Sequence, residues 1–373
     1  MMKILIDIGH PAHVHLFKNL IWSLKKKGHD VHITARDKEI VLKLLNYYKF
    51  EYTLISKSRK GLLHIGKEMI QRDYNLFNLV RKIHPDIMIA VLDPSITHIG
   101  KLLKIPTITL TDTEHAAIAN ALTFPFSDII CTPSCYKDKI GKKQIQYNSY
   151  HEISYLHPNY FKPNPKVLDE LGLSIGDIFF VIRLSSFEAS HDIHTLKIRS
   201  EYIGRIIEKL EEHGRILVFS EPGQDSQLKK FECTISPEKY HDILYYSHLY
   251  IGEGSTSAEE AAILGTPSLH FERLSINGKI QGVAPFIGIL EELQNKYQLL
   301  FSFYEEEQLL NKLDELLIDI VHAKSEWYTK KEVLLKDKID LTAFLVWFIE
   351  NFPSSVDTIR RDPRCLDHPG GGF

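Results

Sequence analysis

Short apolar runs alternate along the chain with longer stretches whose apolar residues recur every three or four positions. "KILIDIG" is the first such run and ends in Gly; "VHLFKNLIWSLKKKG" follows with apolar positions at helical spacing and closes at Gly28. That is the order strand, loop, helix, glycine C-cap. The alternation continues through "DVHITA", a helix from about Lys38 to Tyr48, "EYTLI", an amphipathic segment from Leu62 to Ile83, "DIMIAVL", a helix near Ser95 to Leu103, and "PTITLT". Strands alternating with helices predict a parallel sheet covered on both faces.

Between 132 and 166 the periodicity disappears and Pro, Asn, Tyr and Lys accumulate, as in an interdomain linker. It resumes with "IFFVIRL", a helix from about Thr195 to His213, "RILVFS", "YHDILYYS", "LYIGEG", a helix from Ala258 to Leu264, and "PSLHF", before a helical C-terminal third. The pattern predicts an α/β protein of two doubly wound Rossmann-like domains, 1–150 and 167–335, joined by a linker at 151–166. A C-terminal helix and tail, 336–373, is free to return to the first domain. Such domains face each other across a cleft and place ligands at the C-terminal ends of their strands.

Composition narrows the class. A chain of 373 residues fits two domains, and 44% hydrophobic with 25% charged residues is the balance of a folded protein rather than a disordered one. The longest apolar runs, "IPTITLT" and "AFLVWFI", fall short of the roughly 20 residues that span a bilayer. "MMKILIDIGH" has no signal-peptide core, so a cytoplasmic location is expected. Cys131, Cys135, Cys233 and Cys365 show no CxxC pairing, which argues against a zinc site or a disulfide framework. Residues 1–150 hold 22 Lys and Arg against 13 Asp and Glu; the remainder holds 23 against 35. This asymmetry suggests domains that face different partners, and the basic half could contact an anionic membrane peripherally. No nucleic-acid partner is expected.

The candidate chemistry lies in loops at strand ends. In "DIGHPAHVHLF" a tight loop leads into a helix near His13, where backbone N–H groups can hold anions and an imidazole can act as a base. His10, His13 and His15 cannot share one helical face, so no metal site is expected. "TDTEHAA" places Asp112 and Glu114 directly after a strand, and Asp93 ends the neighbouring one; acid/base chemistry and helix capping both account for such carboxylates. In the second half Arg183 stands at a strand end, with Glu188 and His191 in the following loop, and a guanidinium there can clamp phosphate. "GEGSTSAEEAAILGTP" is the strongest signal. Gly252 and Gly254 admit a close ligand, Ser255 and Thr256 offer hydroxyls and N–H groups at a helix start, and Glu259 or Glu260 could bind ribose hydroxyls.

These residues carry a resemblance to GT-B-type glycosyltransferases and to the related non-hydrolysing UDP-N-acetylglucosamine 2-epimerases. "EEAAILGTP" is similar to the Glu-Glu-Ala and Leu-Gly-x-Pro segment of the epimerases, and "AHVHLFKNLIWSLKKKGHDV" resembles the active-site loop and helix of the peptidoglycan N-acetylglucosaminyl transferase. The whole chain resembles an uncharacterised family of predicted glycosyltransferases. The resemblance implies an inverting, metal-independent transfer of a HexNAc-type sugar from a UDP-sugar to a glycan or lipid-linked acceptor in surface polysaccharide synthesis. It puts Arg183, Glu188, His191, Gly252, Gly254, Ser255, Thr256, Glu259 and Glu260 on the nucleotide sugar. His13, Asp93, Asp112 and Glu114 fall on the catalytic side, with no further cofactor. The epimerase reaction, with Asp93 and Glu114 as its carboxylates, and a binding protein without chemistry are the alternatives.

Overall fold

In the computed structural model, residues 1–58, 62–184, 195–196, 198–220, 226–276 and 279–363 are described. The alternation of the N-terminal half becomes strands β1 (Lys3–Ile8), β2 (Asp30–Asp37), β3 (Thr53–Lys57), β4 (Ile87–Val91), β5 (Thr107–Leu110), β6 (Ile129–Pro133) and β7 (Gln144–Tyr147). Between and after them run helices α1 (Pro11–Lys26), α2 (Val41–Tyr47), α3 (Leu62–Ile83), α4 (Pro94–Leu103), α5 (Ala117–Thr123) and α6 (Ile153–Leu156). The seven strands form one parallel sheet in the order β3-β2-β1-β4-β5-β6-β7. β1 shows why both faces are covered: Ile4, Ile6 and Ile8 enter one apolar core with α1, while Leu5 enters another with Leu76 and Val80 of α3 and Ile96 and Ile99 of α4. The period of two puts Asp7 on the Leu5 face, where it is buried.

The second half contributes α7 (Lys166–Glu170), β8 (Phe179–Leu184), β9 (Thr195–Leu196), α8 (Ser200–Glu211), β10 (Arg215–Ser220), α9 (Tyr240–Tyr246), β11 (Leu249–Gly252), α10 (Ser255–Ile263) and β12 (Ser268–Phe271). β13 (Arg273–Ile276), β14 (Lys279–Gly282), α11 (Gly288–Glu292), β15 (Leu300–Phe303), α12 (Glu306–Leu317) and α13 (Ile320–Asp337) follow, then α14 (Leu341–Glu350) and α15 (Ser354–Arg361). The main sheet is parallel, ordered β10-β8-β11-β12-β15, beside a small sheet β14-β13-β9.

The chain divides into two units: Met1–Tyr160 with Asp337–Phe373, and Phe161–Lys336. Phe344, Leu345 and Phe348 of α14 lie in the same core as Phe17 and Leu20 of α1. The expected linker at 151–166 differs from the structure. Its first part forms α6, whose Ile153, Tyr155 and Leu156 are buried, and it belongs to the first unit. The stretch has no visible period because α6 is about one turn long and β7, "QIQY", sets its apolar residues among Lys, Gln and Asn. The helix expected from Thr195 begins instead at Ser200, since Thr195 and Leu196 pair with β13. No helix among the described residues is long and apolar enough to cross a membrane.

Candidate functional site

In the first unit the strand order reverses between β1 and β4, so the loops leaving these strands diverge and open a crevice at their C-terminal ends. His13 lies in the first turn of α1, just after β1, and Asp93 in the β4 loop; Asp112 and Glu114 leave the next strand, β5. The His10 side chain caps α1 by accepting the Ala12 N–H at 3.3 Å, and Pro11 occupies the first turn. His13 Nδ1 accepts the Gly9 N–H at 3.4 Å, which leaves the ring proton on Nε2 in the neutral imidazole. Desolvation holds His13 well below its ordinary pKa, helped by His10 and His151 and opposed by Asp112. His15 is buried and packs on Tyr155, with ring centroids 5.4 Å apart.

Asp93 is committed on both oxygens. Oδ1 accepts the Ile96 N–H at 3.0 Å as the N-cap of α4, and Oδ2 accepts Arg72 Nη2 at 2.5 Å. The same nitrogen donates to Asp7 Oδ2 at 2.8 Å, so one buried guanidinium from α3 ties the ends of β1 and β4 together. Arg36, at the end of β2, forms a fork with Glu68 at 2.6 and 2.8 Å beside it. Glu114 Oε1 accepts the Lys137 N–H at 3.2 Å.

Asp112 makes the contact that the sequence pattern does not disclose. Its Oδ2 lies 2.7 Å from His151 Nδ1, and its Oδ1 accepts the Thr113 hydroxyl at 2.9 Å. Burial raises the carboxyl, but the His151 charge and hydrogen bond outweigh it and hold Asp112 below its usual range. Burial pushes the His151 imidazole down; Asp112 first and Glu152 second reverse this and lift it above 6.5. His151 falls within the segment that reads as linker, and the one available signal was a histidine placed just beyond a strand-length run, "QIQYNSYH".

In the second unit, numbering the main-sheet strands in chain order gives 2-1-3-4-5, with reversal between β8 and β11. A doubly wound sheet of this order binds ligands at that point. Arg183 of β8 stands opposite Gly252 of β11, and Gly254 then starts α10. Gly254 has φ 83 and offers no side-chain cap, so the first-turn N–H groups of α10 keep their capacity for an anion. Ser255 and Thr256 lie partly exposed in that turn. The Arg183 guanidinium stacks 5.3 Å from the Tyr240 ring centroid. Burial opposes its charge, and Tyr240, Tyr250 and Glu260 together outweigh burial.

Gly252 and Glu260 have close neighbours within the fold. A Cβ at Gly252 would collide with Tyr250 Oη and stand 2.7 Å from the Arg183 carbonyl, so packing by itself requires glycine there. Glu260, expected to meet ribose hydroxyls, is buried with Oε1 2.9 Å from His241 Nε2. Glu259 is buried beside it. Glu188 and His191 lie outside the described residues.

Two Rossmann-like units, each built on a parallel sheet whose strand order reverses, make this a protein of the GT-B fold. It belongs to the family described as "Protein of unknown function (DUF354)", which matches residues 2–279. An uncharacterised protein of Methanocaldococcus jannaschii is 27% identical over 281 residues, 72% of this chain and 81% of that one. A spinosyn rhamnosyltransferase complexed with spinosyn aglycone is similar in structure, with TM-score 0.62 and 14% identity over 94% of this chain and 100% of that one. The UDP-GlcNAc 2-epimerase of Neisseria meningitidis, bound to UDP-GlcNAc, gives TM-score 0.61 and 11% identity over 90% and 98%.

Proposed function

We propose that the protein is an inverting glycosyltransferase that moves a HexNAc-type sugar from a UDP-sugar to a glycan or lipid-linked acceptor. The observation that carries this reading is the second unit's reversal point, where the uncapped start of α10 adjoins the half-buried Arg183 of β8, whose guanidinium stays charged. Helix N–H groups and a guanidinium are what a diphosphate leaving group needs, and together they stabilise its developing charge without a metal ion. Fold likeness to a UDP-GlcNAc-bound epimerase and to a rhamnosyltransferase supports a nucleotide-sugar donor. The first unit, with ionisable groups at its own strand ends, then serves the acceptor. Its basic N-terminal sequence suits a cytoplasmic enzyme that meets an anionic, lipid-linked acceptor at the membrane surface.

The test is incubation with UDP-HexNAc donors, with and without an acceptor panel, followed by NMR for UDP release and for inversion at the sugar's second carbon. A transferase is nearly idle without acceptor. Conversion of the donor alone to its 2-epimer would replace this reading with the epimerase one, for which Asp93, held on both oxygens, is a poorly placed base.

A further inference from the structure

The Asp112–His151 pair has an unused end. His151 is only 6% exposed, its Nδ1 is taken by Asp112 at 2.7 Å, and its Nε2 is buried with no hydrogen-bond partner among the described residues. A carboxylate that accepts from Nδ1 fixes the neutral ring with its proton there and its lone pair on Nε2. His13, within electrostatic reach of both members, has the opposite arrangement: Nδ1 accepts from Gly9 and Nε2 carries the proton. One ring is therefore set to accept a proton and the other to donate a hydrogen bond. A buried nitrogen without a partner calls for an explanation, and a bound hydroxyl is one that also uses the ring's fixed tautomer.

We propose that His151, oriented by Asp112, is the general base that deprotonates the acceptor hydroxyl, and that His13 is a hydrogen-bond donor beside it rather than the base. The inference rests on the transferase reading. In the step, the acceptor O–H proton passes to His151 Nε2 while the oxygen lone pair bonds to the sugar's anomeric carbon. The bond from that carbon to the β-phosphate oxygen breaks, and its electron pair leaves with UDP. The imidazolium, held by Asp112, later returns its proton to solvent. Asp112 is a positioning residue, acting through the ring. The titratable and charged groups around the pair include His13 from α1, Tyr136 after β6, Tyr147 from β7, and Glu152, the neighbour of His151 in sequence.

Two measurements on the full chain test this. With 15N-labelled histidine, assigned through H151Q and H13Q, His151 is expected to titrate above 6.5 and to carry its neutral proton on Nδ1, while His13 stays neutral with its proton on Nε2. A neutral His151 protonated on Nε2, or one titrating below 6.5, overturns the proposal. With a donor and acceptor that the wild type uses, H151Q should lower kcat about a hundredfold or more with UDP affinity unchanged. D112N should lower kcat and move the acid limb of the kcat/KM profile to lower pH, and H13Q should leave that limb in place. H151Q within threefold of wild type, or loss of the acid limb in H13Q, overturns it. A wild type that transfers while H151Q keeps its rate sinks this inference alone. A wild type that turns over no UDP-sugar sinks the transferase reading and this inference with it.

Discussion

Asp112 and His151 shift each other's protonation, and the shifts have opposite consequences for stability. The lowered carboxyl stabilises the fold above its ordinary 3.8 and loses that contribution as the pH falls through its depressed value. The raised imidazole stabilises the fold below 6.5 and loses its contribution as the pH rises through its elevated value. Both are present together between about pH 4 and 6.5. D112N is therefore expected to destabilise most near about pH 5.5 and clearly less near pH 9, as urea unfolding at the two values reads out; an equal penalty at both would contradict the pairing. Gly252 offers a second single-residue test. A methyl group there would meet Tyr250 Oη and come within 2.7 Å of the Arg183 carbonyl, so Gly252→Ala should cost about 1–3 kcal/mol through overpacking. Removing only the hydroxyl with Y250F should not restore it, because the ring carbon Cζ at 2.7 Å and the carbonyl remain. Full rescue would show that the carbonyl contact yields.

Among the elements, the ends of β1 and β4 are set by one guanidinium shared between Asp7 and Asp93. Asp93 also starts α4, and the two tasks separate by substitution. Asp93→Asn keeps a competent N-cap but loses the charge opposite Arg72, whereas Asp93→Ala loses both. The difference between the two in chemical unfolding should be about 1 kcal/mol, the worth of the cap. Equal destabilisation would mean that the cap contributes nothing. Much of this level was legible. "KILIDIG" followed by "VHLFKNLIWSLKKKG" reads directly as β1 and α1, because period and length agree. "GEGSTSAEE" reads as a strand-to-helix turn for the same reason. What escaped included α5, β6, β13, β14 and β15, together with β7 and α6 in the stretch that reads as linker, and β9, whose two residues gain meaning only by pairing with β13. His151 was lost with them, since its partner Asp112 is distant in sequence and no local spacing encodes that contact.

In the molecule as a whole, α14 returns the chain to the first unit, where Phe344 and Phe348 are fully buried against the α1 face. Phe344→Ala should cost about 3–5 kcal/mol and lower the first unit's unfolding midpoint, read by fluorescence or calorimetry. A change within experimental error would mean that α14 is not part of that core. The sequence disclosed the two Rossmann-like domains through their repeated alternation, and it marked "GEGSTSAEE" as the turn from β11 into α10. It did not disclose the packing around Gly252 or the Glu260–His241 contact, because both depend on neighbours that spacing does not reveal.

Everything proposed for this protein depends on the second unit binding a nucleotide sugar through the start of α10 and Arg183. Isothermal titration of UDP into the full chain puts that to the test. Saturable binding at one site is expected, weakened more than tenfold in Arg183→Gln with the thermal unfolding profile retained, since a charge-assisted contact to phosphate is worth about 1.5–3 kcal/mol. Absence of saturable binding by the wild type, or equal affinity in a folded Arg183→Gln variant, would contradict it.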